Sequence, residues 1–323
     1  MLHRLLIGST LAALAILCGP SAAQADTFPT RPIQVVITTP PGSATDAILR
    51  FLSADLTKSL GQSIVVQNRA NASGTIGADA ARRAAPDGYT LFIGSNTTMA
   101  ANVHLFKSLS YDPLRDFDPI TQVSINPLVL VVRSNLPIHS VAELVAYVKA
   151  RPGQMNFGVG NAGSRVAAQS LLTLTGTSAQ DIAFTGTTPA VLELVGGRLD
   201  FMFVDPVVVD SFIKQGTLRA LAVSSSIRLP SMPETVTMAA AGIAGYDYSS
   251  WLGLYAPHGT PKPVIDKLNA AFVHAIDSAE AKEFFRSNSA IGKSSTPAQL
   301  LEFNKAQIVA WKKYVADSGL EVQ

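Results

Sequence analysis

Three short clusters carry the groups that could do chemistry, and that chemistry is anion capture; a plain turn with a helix cap is the alternative for the first, and an ordinary Asx or Ser turn for the second. Pro41, Gly42, Ser43, Ala44, Thr45 and Asp46 follow the apolar run 33–38. Ser95, Asn96 and Thr97 follow the run 89–94. Gly160, Asn161, Ala162, Gly163, Ser164 and Arg165 follow the run 155–159. Each cluster sits between a β-branched or aromatic stretch and an amphipathic one. A strand, a tight turn and a helix start are therefore expected at each. Such a turn directs unpaired backbone N–H groups and the positive end of a helix dipole into a crevice, which suits a carboxylate or phosphate. Thr45 or Asp46 is expected to cap the first of these helices. Asp46 should cap or orient rather than touch an anion, because two carboxylates repel.

The third cluster admits a rival reading. Gly158-Val159-Gly160-Asn161-Ala162-Gly163 fits G-x-G-x-x-G, and Asp181 follows at about the spacing of a ribose-binding acid. An NAD-linked oxidoreductase is thus the alternative enzyme class. Against it, Asp181 precedes the apolar run 182–184, whereas a ribose-binding acid should end its strand. The better reading is a second anion loop, with Asn161 and Ser164 facing the first. Arg165 is either a solvated helix residue or a bidentate partner of a ligand carboxylate.

Other chemistries find little support. The five histidines (His3, His104, His139, His258 and His274) show no metal-ligand spacing, and no G-x-S-x-G is present. Cys18 is the only cysteine and falls in a leader-like segment. Thiol catalysis, disulfides and cysteine-based metal sites are therefore not expected in a processed chain. The expectation is a non-enzymatic protein without cofactor or metal.

Residues 1–25 read as a secretory signal: Arg4 as the basic region, 5–17 as the apolar core, and Ala23-Gln24-Ala25 as the cleavage site. Export to a periplasm is expected. Apolar residues make up 47% of the chain and charged residues 15%, with a formal net charge of +2. This supports sizeable cores and offers no basic patch for nucleic acid. No apolar stretch beyond residue 25 reaches membrane-spanning length.

The elements that must position the clusters alternate in type. The strands 33–38, 63–67 and 89–94 are interleaved with the helices 46–60 and 75–84, and the pattern predicts a parallel sheet covered on both faces. Asn126-Pro127 breaks an extended run and marks a candidate hinge. A second series follows: strands 155–159, 181–184, 199–204 and 218–223, with helices 140–150, 165–174, 188–195 and 207–214 between them. Residues 224–250 look like a return connection, 251–256 are extended again, and two helices (263–276 and 297–316) close the chain without further strands. The expected organisation is two α/β lobes, one formed by 26–124 plus 246–323 and the other by 125–245. They would be joined by crossings near 124–127 and 245–251, with a ligand cleft between them.

The ordered motifs resemble one family. They are Arg31-Pro32-Ile33, Pro40-Pro41-Gly42 with Thr45-Asp46, and Ala84-Ala85-Pro86-Asp87-Gly88-Tyr89. Further along come Tyr111-Asp112-Pro113 with Asp116-Phe117, Gly196-Gly197 before Leu199-Asp200, and Leu218-Arg219-Ala220. Trp251, Gly253-Leu254 and Ala256-Pro257 with Gly259-Thr260-Pro261 complete the set. Together they resemble the Bug family, the periplasmic substrate-binding proteins of tripartite tricarboxylate transporters. The resemblance implies a type II periplasmic-binding fold, each lobe a mostly parallel sheet. It also implies a monomer that closes on a small carboxylated solute, held by loop backbone, hydroxyls and water, and that delivers it to membrane permease subunits. A ligand-sensing subunit for a signalling partner is a further alternative.

Three departures from the family pattern bear on the ligand. Phe184-Thr185 before Gly186 stands where many members have Tyr-Lys. Val166 and Ser170 replace positions often His and Glu. Val204-Asp205 replaces a frequent Asp-Asn pair. A less polar second lobe implies a ligand with an apolar or aromatic body.

Overall fold

Strand β1 (Ile33–Ile37) forms from a β-branched run whose side chains are buried on both faces, Gln34 apart. In the computed structural model, which describes residues 28–71, 73–184, 186–318 and 322, it lies between two parallel neighbours. The expected leader at 1–25 and Thr185 lie outside the described residues. Helix α1 (Ala44–Leu60) buries Ile48, Leu49, Leu52 and Leu56 and ends at Gly61, whose left-handed φ of 70° lets its N–H reach Thr57 O. Then come β2 (Ile64–Asn68), α2 (Thr75–Arg82), β3 (Thr90–Ser95), a π-helical turn at Thr97–Ala101, α3 (Asn102–Leu105) and β4 (Phe117–Pro127).

The second series comprises β5 (Val129–Arg133), α4 (Val141–Lys149), β6 (Asn156–Val159), α5 (Ala162–Thr175), β7 (Gln180–Ala183), α6 (Thr187–Val195), β8 (Phe201–Val204), α7 (Pro206–Lys214) and β9 (Leu218–Val223). The chain then returns through β10 (Ser249–Pro257), α8 (Lys262–Asp277), α9 (Ala279–Ser287), β11 (Ile291–Gly292) and α10 (Pro297–Ser318). Two sheets result, ordered β11-β4-β10-β3-β1-β2 and β7-β6-β8-β5-β9.

Several elements differ from the sequence reading. The sheets are mixed rather than mostly parallel. β10 re-enters from the second lobe and pairs antiparallel with both β3 and β4, and β5 is antiparallel to β8 and β9. Asn126-Pro127 does not break β4. Pro127 is its last residue, where a missing N–H is tolerated, so the crossing falls at Leu128. The closing helices are not free of strands: β11 pairs with β4, but two residues are too few to show a period-two pattern.

The registers decide where the loops fall. Pro127 pairs with Ser249 and Ser95 with Leu252, so β3 and β4 end at the edge where β10 begins. β1 and β2 run parallel to β3 and end at that edge too. In the second sheet, Val129 at the start of β5 faces Val204 and Val223, the ends of β8 and β9, and β6 and β7 run parallel to β8. The carboxyl-end loops of both sheets therefore lie at the junction between lobes.

One buried cluster runs through that junction, from Phe92 and Met99 to Phe157, Tyr246, Trp251 and Trp311. Trp251 is core: it is 1% exposed and donates from Nε1 to Gln307 Oε1 at 3.0 Å. The outer faces of the two sheets carry separate clusters. Ser224 ties the crossings together. Its N–H donates to Leu128 O, its Oγ accepts from Leu128 N at 2.8 Å, and its carbonyl accepts from Tyr248 N. Among the described residues, no helix is long and apolar enough to cross a membrane.

Candidate ligand-binding site

In the first lobe, the turn after β1 is built around Asp46. Ser43 is the cap of α1, in place of Thr45 or Asp46: its Oγ accepts from Asp46 N at 3.3 Å and donates to Thr39 Oγ1 at 2.8 Å. The Asp46 carboxylate accepts from Arg50 Nε at 2.8 Å, Gly42 N at 3.0 Å and Asn68 Nδ2 at 3.0 Å. The Arg50 contact and the Gly42 N–H hold this carboxyl well below the usual carboxylate range. Asp46 is thus fully engaged as an organiser of the turn. Pro41, Gly42 and Ala44 are exposed and Thr45 is half-buried. By helix geometry the N–H groups of Ala44 and Thr45 have no intrahelical acceptor.

The loops after β2 and β3 close against this turn. Asn68 Nδ2 also donates to Thr39 O at 3.1 Å. A Cβ placed on Gly74, whose φ is +71°, would sit 2.6 Å from Thr98 Cγ2 and 3.1 Å from Thr38 Cβ, so the three loops touch there. Asn102 Nδ2 donates to Ser73 O at 2.8 Å. Ser95 N donates to Thr98 Oγ1 at 2.9 Å, Asn96 is buried and accepts at Oδ1 from Ser250 Oγ at 2.9 Å, and Thr97 opens the π-helical turn, half-buried.

In the second lobe, Asn161 caps α5 in a reciprocal capping box with Ser164. Ser164 is buried, and its Oγ accepts from Gly160 N and Asn161 N at 3.1 and 3.2 Å, so this hydroxyl serves the cap. The glycines of the G-x-G-x-x-G match have packing reasons. A Cβ on Gly160 would lie 2.5 Å from Thr187 Cα, and one on Gly158 2.6 Å from Leu199 Cδ1. Asp181 is also accounted for: Arg165 pairs with it at 2.7 Å. The guanidinium of Arg165 is therefore engaged within its own lobe, and Ala162 and Gly163 supply the unpaired N–H groups at the start of α5.

Phe184 is half-buried against the outer core of this lobe, and Gly186 precedes α6 in extended backbone. Thr185 lies outside the described residues. Asp205 caps α7, accepting from Val207 N at 3.1 Å. Its side chain is solvent-accessible yet crowded by protein, and the lost solvation raises its carboxyl above the ordinary range. Among the described residues, no group of His, Cys, Asp and Glu is arranged to hold a metal ion.

Asn68, Thr187 and Tyr248 belong to this architecture and were not among the sequence candidates. Asn68 ends β2 directly before a loop rich in Asn and Ser, a signal open to sequence reading. Thr187 and Tyr248 come into place only through tertiary packing against Gly160 and Gly163.

The model of the tripartite tricarboxylate transporter family receptor, TctC, matches residues 48–320. The chain belongs to this family. BugT of Bordetella pertussis is 37% identical over 302 residues, covering 93% of each chain. Among solved structures, the TctC-family receptor resembles Rpa4515 of R. palustris with adipate (TM-score 0.77, 30% identity, 91% of this chain and 99% of that one). It also resembles MatC of Rhodopseudomonas palustris with bound malate (TM-score 0.71, 32% identity, 89% and 100%). The two-lobed α/β fold is that of the TctC and Bug periplasmic binding proteins, and the family role is solute binding.

Proposed function

We propose that this TctC receptor is exported to the periplasm, where it captures a small carboxylated metabolite with an apolar or aromatic body. It closes its lobes over the ligand as a monomer and presents it to the permease subunits of a tripartite tricarboxylate-type transporter. The observation that carries this reading is the meeting of carboxyl-end loops from both sheets at one junction. These loops supply N–H groups at the starts of α1 and α5, whose side-chain caps leave the first donors free. Adipate and malate in the two similar structures are both carboxylates, which supports the ligand class.

Capture needs no enzyme chemistry. Donors fixed by Asp46 in one lobe and by Ser164 in the other would meet the carboxylate generically. Half-buried Phe184 would shape selection of the remainder, whereas Val166 and Val204, 0% and 1% exposed, belong to the cores. Thermal unfolding against a broad carboxylate panel tests the reading. A true ligand at a hundredfold excess over its Kd stabilises by about 2.7 kcal/mol. No shift with any compound, or saturable micromolar binding of NAD by calorimetry, would overturn it.

A further inference from the structure

Tyr248 stands on the second crossing, immediately before β10, and reaches across to the second lobe. Its N–H is fixed by Ser224 O at 2.9 Å. Its ring packs edge-on against Trp311 and Tyr314 of α10, with centroids 6.3 and 5.8 Å away. The residue is 3% exposed, and its hydroxyl has no hydrogen-bond partner. Tyr246, two residues earlier, shows the contrast: its hydroxyl donates to Ala167 O at 2.8 Å. A buried hydroxyl without a partner is costly, and its retention calls for a reason.

The direction of the hydroxyl supplies one. A Cβ built on Gly163 would lie 2.8 Å from Tyr248 Oη and 3.2 Å from Asn161 Oδ1. The phenol therefore ends in the first turn of the fourteen-residue helix α5, where Ala162 and Gly163 carry N–H groups without intrahelical acceptors. Burial pushes the phenol well above its ordinary pKa, so it remains a neutral donor.

We propose that Tyr248 is a ligand-contacting residue: its hydroxyl joins the Ala162 and Gly163 N–H groups in a cradle for one carboxylate at the start of α5. The inference rests on the solute-binding reading and adds a donor from the crossing itself. A carboxylate held there touches the second lobe and the crossing together, so binding is sensed where the lobes join. Gly163 is required because any side chain would displace the phenol.

The test is calorimetric titration of the wild type, Tyr248→Phe, Gly163→Ala and the double variant with malate, adipate and benzoate, alongside thermal unfolding without ligand. The expected result is that Tyr248→Phe weakens the bound carboxylate about tenfold, the usual scale for a lost hydrogen bond to a charged group. Its unliganded melting point stays unchanged or rises, since an orphan hydroxyl is removed. Gly163→Ala weakens binding in the wild type but less in the Phe background. Equal affinity for wild type and Tyr248→Phe would overturn the inference and leave the solute-binding reading standing. Loss of affinity together with a lowered melting point and no coupling to Gly163 would assign Tyr248 to packing and overturn it as well. A wild type that binds none of the three carboxylates would count against the solute-binding reading and the inference together.

Discussion

Replacing Asp46 with alanine should destabilise the receptor by about 2 kcal/mol near neutral pH. The carboxylate receives Gly42 N, Arg50 Nε and Asn68 Nδ2 within 2.8–3.0 Å. Losing it removes the Asn68 partner, costing about 1 kcal/mol, and the Gly42 partner at about 0.5 kcal/mol because water reaches that exposed turn. A negative charge in the first turn of α1 adds about 0.3–1 kcal/mol through the helix dipole. The Arg50 side chain is 56% exposed, so its pair with Asp46 adds little. For a chain of this size the loss corresponds to a melting-point drop of about 4 °C. Asparagine should fall between the two, since its amide turns one of the donor contacts into a donor–donor clash. The sign with pH follows from the depressed carboxyl. Its contribution is fully present above the unfolded value of about 3.9 and is lost as pH falls below it. Urea titrations at pH 7 and pH 3 check this. A variant within 0.5 kcal/mol of wild type at pH 7, or a deficit equal at both pH values, would refute the reasoning.

Two further outcomes follow from contacts in the second lobe. Gly160→Ala should cost about 2 kcal/mol or more, because its Cβ meets the Thr187 backbone at 2.5 Å and backbone cannot rotate away; Gly158→Ala, facing the flexible end of Leu199, should cost less in the same thermal unfolding series. Arg165→Gln should lose about 1 kcal/mol or less through its partly exposed pair with Asp181 and leave carboxylate affinity within twofold by calorimetry. A tenfold loss there would put the guanidinium on the ligand.

The sequence made the strand–turn–helix units legible wherever the apolar period was long. The β-branched run of β1, the apolar face of α1 and the stop at Gly61 are local facts, and they appear as expected. Strand direction was not local. Whether β10 runs with or against β3 depends on its re-entry from the other lobe, which no periodicity encodes. The same limit applies to side chains. Asn161 and Ser164 were legible as a polar turn, yet their three-residue spacing serves a capping box first. Arg165 looked like a free cation because Asp181, its partner, lies sixteen residues away on the neighbouring strand β7. Tyr248 gave no local sign, since an orphan hydroxyl exists only once Gly163 stands opposite it.

The junction also constrains how the proposed closure can work. α10 belongs to the first lobe and packs on β4, yet it packs on α5 of the second lobe as well. Lobe movement must therefore slide α5 along α10, a shear rather than a free swing. Tyr246 and Tyr248 reach α5 from the second crossing, and Ser224 bonds that crossing to the first at Leu128. The start of α5 is thus linked by packing and hydrogen bonds to both crossings. In the proposed closure, a carboxylate at that helix start would bear on α5 beside the crossings, while the Asp46 turn would supply the donors of the first lobe.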